Sequence, residues 1–137
     1  MAEEPLVKEA LTEQMIAAGS ELTRALDRVG WPLAGALWIF DPENNEWQLL
    51  LASPMVRAEG PRAAYARVAE ALRALKSPLP LENIAVVDPD DSRIRLLASV
   101  YPSNKDIEGR RFTRGAISGH VIDDAYIYRL HPVAPAA

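Results

Sequence analysis

Cysteine is absent from the 137 residues, so neither a disulfide framework nor a zinc site built on thiolates can form, and nothing argues for an oxidising compartment. Histidine is almost absent, with only His120 and His131, so a metal would need carboxylates that fall mostly in turn-like segments. Neither a metal nor a cofactor is expected. Phosphate-cradling glycine loops, the Gly-x-Ser-x-Gly elbow and the His-Glu-x-x-His helix are missing too, which leaves any nucleophile without a visible activating partner. Catalysis is therefore the least supported class of function. The longest apolar runs, Leu33 to Phe40 and Leu49 to Ala52, are far too short to cross a bilayer, so no membrane partner is expected. The opening Met1 to Glu4 is acidic, unlike a secretory leader, and the expected address is cytoplasmic.

What is present is the composition of an ordinary folded domain, 49% hydrophobic and 25% charged. The length suits one core, so residues 1–137 are expected to form a single domain, frayed at 1–4 and 132–137. The net charge of −4 disfavours indiscriminate nucleic-acid binding, but it is unevenly spread. Residues 93–114 carry six basic side chains against Asp106 and Glu108, whereas residues 1–30 carry three basic against six acidic.

Leu6, Ala10, Leu11, Met15, Ala18, Leu22, Ala25, Leu26 and Val29 recur at helical spacing and predict a helix over 5–29, stopped by Gly30 and Pro32. Gly19 inside this run marks a close contact or a bend. Leu33 to Phe40 and Trp47 to Ser53 flank the turn-rich stretch 41–46 and predict a hairpin, with Phe40 beside Trp47 and Trp38 beside Leu49. Both faces of these strands are apolar, which places them centrally in a sheet covered on each side. Gly60-Pro61 opens a second helix, with Tyr65, Val68, Leu72 and Leu75 along its buried stripe.

Ile84 to Val87 and Arg93 to Tyr101, around Asp88-Pro89-Asp90-Asp91-Ser92, read as a second hairpin with Ile94, Leu96, Ala98 and Val100 inward. That acidic turn is oxygen-rich but lacks the ligand spacing of a calcium hand. Residues 102–115 read as a long polar loop. A last hairpin, 116–122 with 125–130, turns at Asp123-Asp124; a turn at Gly119-His120 with a longer final strand is the competing register.

The predicted fold class is α+β: a mainly antiparallel sheet of about five to six strands with two helices, in the order αββαββββ. This order resembles the small folds of the roadblock, longin and profilin type. The resemblance lies in element order only, and the terminal hairpin departs from the roadblock order. It implies a sheet that carries helices and often pairs with a second copy.

Three groups of residues merit attention. Arg110, Arg111 and Arg114 flank Phe112, a combination suited to gripping phosphates and stacking a base; the plainer reading tucks Phe112 into the core and pairs the arginines with acidic neighbours. His120 with Asp123 or Asp124 is a possible acid–base pair for a small hydrolase, although aspartates at a turn are common. Trp31, just past a helix end, is a candidate interface residue, while Trp38 and Trp47 read as core. The leading expectation is a non-catalytic protein-interaction module, homodimeric or bound to another protein, that uses a sheet edge or helix face. A phosphate or nucleic-acid binder working through the 103–115 segment stands second, and the hydrolase third.

Overall fold

The computed structural model of the chain describes residues 8–101, 109–117 and 120–130, leaving aside the side chains of Arg114, Ile117, His120 and Val121. The first helix, α1, spans Glu13–Arg28 rather than 5–29. Thr12 caps it, its hydroxyl accepting from the Met15 amide at 3.1 Å, which satisfies one of the amides a helix start leaves bare. Residues 8–12 are not helical, and 5–7 lie outside the described residues. Sheet contacts hold this arm: the Glu9 amide donates to Asn45 and the Glu9 carbonyl accepts from the Trp47 indole, at 2.9 and 2.8 Å. At the other end Gly30 has φ +75°, the left-handed stop that the sequence requires. Val29, placed on the buried stripe by its spacing, is instead 66% exposed.

Strands β1 (Gly35–Asp41) and β2 (Glu46–Ala52) form the expected hairpin in the expected register, Phe40 opposite Trp47 and Trp38 opposite Leu49. Asp41 organises its turn, accepting from the Glu43 amide at 3.0 Å and the Asn44 side chain at 2.7 Å. A short helix α2 (Met55–Glu59), not anticipated, precedes α3 (Pro61–Leu75), which begins at its proline as predicted. β3 (Ile84–Val87) then pairs with β2 in parallel, the two helices forming the crossover that such a pairing demands.

The second hairpin is overturned. Ser92–Val100 is a helix, α4, capped by Asp91, whose carboxylate accepts from the Arg93 amide at 2.9 Å. Its buried residues are Ile94 and Leu97, a three-residue step, not the alternating set. The 102–115 loop is also corrected: residues 102–108 lie outside the described residues, but Arg110–Ile117 forms strand β4. The longer final strand of the competing reading is found, with β5 (His120–Leu130) running through Asp123 and Asp124, but Ile117 pairs with His120, which puts His120 in the strand rather than in the turn.

Among the described residues the sheet has five strands in the order β3-β2-β1-β5-β4, antiparallel except for β2 with β3. The α+β class stands, but the sheet is mixed and four α-helices accompany it. α1 and α3 cover one face, burying Trp38, Trp47, Leu49, Leu51 and Val68. α4 packs on the other, over Leu37, Leu50, Ile127 and Leu130. β1 and β2 are thus apolar on both sides because both sides are covered. No helix among the described residues is long and apolar enough to cross a membrane.

Candidate functional site

The arginine-rich stretch singled out in the sequence forms the outermost strand, β4, and strand geometry separates its members. Successive side chains point to opposite faces. Phe112 packs among Ala125, Ile127 and Leu97 in the core beneath α4 and meets Tyr101 edge-on at 5.9 Å between ring centres. Arg111 points to the α1 face, where its guanidinium grips Asp124 through two bonds of 2.7 Å. Arg110 lies on an exposed part of the strand, and the side chain of Arg114 lies outside the described residues. The structure therefore does not bring Arg111 and Phe112 together into one phosphate grip.

Asp124 is the centre of a compact charge cluster that spacing did not reveal. Its side chain is only 3% exposed and accepts from Arg111 and from Lys8 Nζ at 2.9 Å, while Asp123 lies 3.1 Å from the same ammonium. Two aromatic rings complete the setting: Lys8 sits 4.6 Å from the Phe40 ring centre, and Arg111 5.3 Å from that of Trp47. Burial alone would raise the Asp124 pKa. The hydrogen bonds and charges of Arg111 and Lys8 outweigh it and hold the carboxylate below its ordinary value. For Lys8, burial pulls the ammonium down, but bonds to Asp124 and Asp123 leave it net raised. An aspartate so stabilised as an anion is a poor proton acceptor near neutral pH. The side chain of His120 lies outside the described residues, so the proposed acid–base pair rests on Asp123 and Asp124 alone, and both already meet Lys8.

A bulge in β5 fixes how α1 lies beside this edge. Pairing steps from Ala36–Arg129 to Leu37–Ile127, leaving Tyr128 as the extra residue. The bulge turns both Tyr128 and Arg129 toward α1. The Tyr128 hydroxyl donates to the Ile16 carbonyl at 2.5 Å and accepts from the Trp38 indole at 2.9 Å, and Arg129 forks onto Asp27 at 2.8 and 2.7 Å. Burial pushes the Tyr128 hydroxyl well above the ordinary tyrosine range, so it stays a donor. With α1 held here, an open groove of about 380 Å³ remains between α1 and the β4 side of the sheet, lined by Glu13, Ile16, Ala17, Tyr126 and Tyr128.

Trp31, expected at an interface, is 6% exposed and packs within its own chain's core. The residues missed by sequence reasoning are Lys8, Tyr126 and Tyr128. Lys8 carries no local signal, since its acidic partners lie more than 110 positions away, and Tyr128 reaches α1 through a bulge that no short window shows. Among the described residues no group of three or more histidine, aspartate or glutamate side chains is placed to hold a metal ion. No protein-family model, curated protein or solved structure matches this chain.

Proposed function

We propose that this chain is a non-catalytic interaction module that pairs with a second copy of itself through the outer edge of β4. One observation carries the reading: β4 is eight residues long and stands at the end of the sheet, with no further strand beside it among the described residues. Such an edge presents a row of backbone donors and acceptors that another strand can satisfy. The opposite edge, β3, has four residues and is the weaker template.

Three features support a second copy as the occupant. Antiparallel pairing of identical edges closes with two-fold symmetry and goes no further. The α1 groove flanks the edge and offers Ile16, Ala17 and Tyr126 as partly exposed apolar surface to what docks there. The α1 flank carries both signs, exposed Glu13 and Glu21 beside Arg24, so a second copy meets no field of one sign there. The phosphate reading loses support from Arg111, whose charge is already spent on Asp124. The hydrolase reading loses it from the same pair.

The absence of cysteine makes the test clean. Thr113→Cys and Ala116→Cys lie on exposed parts of β4, and each introduces a unique thiol. Light scattering at micromolar concentration should give twice the chain mass, and mild oxidation should link one or both variants into a dimer but not Glu70→Cys on α3. A strict monomer would mean that the arginines guard the edge instead, as cations on edge strands often do.

A further inference from the structure

A second concavity lies away from β4, between the arm preceding α1, the β1–β2 turn and the residues that follow α3. It measures about 440 Å³, within the range of sites that hold small ligands or short peptide segments. Its wall combines two chemistries. Met15, Trp47 and Leu79 form an apolar inner surface, while Glu9 and Glu46 stand exposed at the rim. Among the described residues no lysine, arginine or histidine lines it. Among the described residues neither rim carboxylate takes part in an ion pair, in contrast to Asp123 and Asp124.

We infer that this cleft binds an arginine- or lysine-bearing segment of a partner peptide, one long cationic side chain entering between Glu9 and Glu46. Long basic side chains are suited to such a place, because the aliphatic stem covers apolar surface while the charged head stays among carboxylates. The cleft is larger than one side chain needs, and Gln14 on its wall offers a donor and an acceptor that match the peptide groups on either side. An anionic ligand would meet two uncompensated like charges and is disfavoured. This site depends on nothing at the β4 edge, so it stands or falls apart from the dimer.

Trp47 reports on occupancy, since its indole donates to the Glu9 carbonyl at 2.8 Å. The experiment follows the three indole N–H resonances while the intact protein is titrated with acetyl-Gly-Gly-Arg-Gly-Gly-amide. Its neutral counterpart, with citrulline in place of arginine, and spermidine are titrated in parallel. The arginine peptide should shift the Trp47 signal saturably, with the citrulline peptide at least tenfold weaker. Glu9→Gln combined with Glu46→Gln should weaken arginine-peptide binding at least tenfold, while Asp90→Asn, whose side chain meets Arg95 of α4 on the other face of the sheet, leaves it unchanged. Both rim carboxylates are exposed and unpaired, so the double variant should keep the wild-type dispersion of its other resonances. Equal affinity for the arginine and citrulline peptides, no saturable shift, or unchanged binding by the double variant would each overturn the site. Spermidine binding as tightly as the peptide would overturn the peptide occupant.

Discussion

Gly19 shows how little room the α1 interface has. A Cβ there would collide with the Tyr128 hydroxyl and lie 2.8 Å from the Trp38 indole nitrogen, the two groups that hydrogen-bond to each other under the helix. Gly19→Ala should therefore destabilise the fold by about 1–3 kcal/mol, although alanine is the better helix former, and urea denaturation measures it. Asp124 sets the acid limb of stability. A carboxylate whose folded pKa is lowered adds stability that is complete above its unfolded value and is lost as pH falls through the folded one. Asp124 and Asp91 are both lowered from an ordinary value of 3.8, so stability should begin to fall as pH drops past about 4 and continue falling below it. Asp124→Asn should make that decline shallower and cost about 1–2 kcal/mol at pH 7, the usual loss for a broken buried pair being discounted because Arg111 and Lys8 are nearly half exposed. Denaturation midpoints at pH 3, 5 and 7 decide both statements.

At the scale of elements, what could be read in the sequence was what a short window contains. The β1–β2 hairpin was legible because its turn residues and flanking aromatics are adjacent, and α3 because Gly60-Pro61 marks its start. Gly19 was legible as a close contact, but not its partner, which lies more than a hundred residues away. The segment after Asp91 misled because Ile94, Leu96, Ala98 and Val100 alternate, while the competing signal, an aspartate cap before Ser92, was read as turn chemistry. Tertiary placement decides it: the chain leaves the sheet after β3, and a helix covers the open face above Leu37 and Leu50. If the cap holds α4, Asp91→Ala should cost about 1 kcal/mol and speed amide exchange in residues 93–97. In β4 and β5 the aspartate pair lay inside a strand because Lys8 and Arg111 neutralise it, and neither partner is a sequence neighbour.

Over the whole molecule, the sheet explains both what is buried and what is offered outward. β1 and β2 are sealed between α1 and α3 on one side and α4 on the other, whereas among the described residues β4 ends the sheet. Of the segment that looked like a loop for phosphate, Arg111 is tied down over Trp47 and Phe112 is sunk into the core. The arrangement leaves the β4 backbone edge beside an open groove under α1. The proposed pairing with a second copy rests on these two features.

The most direct test is amide hydrogen exchange along Arg110–Ile117 at two protein concentrations spanning the micromolar range. Pairing through β4 predicts that the amides on its outer side exchange more slowly at the higher concentration, while those bonded to β5 are unaffected. Exchange in β4 that is independent of concentration, with outer amides as fast as in an open strand throughout, would contradict it.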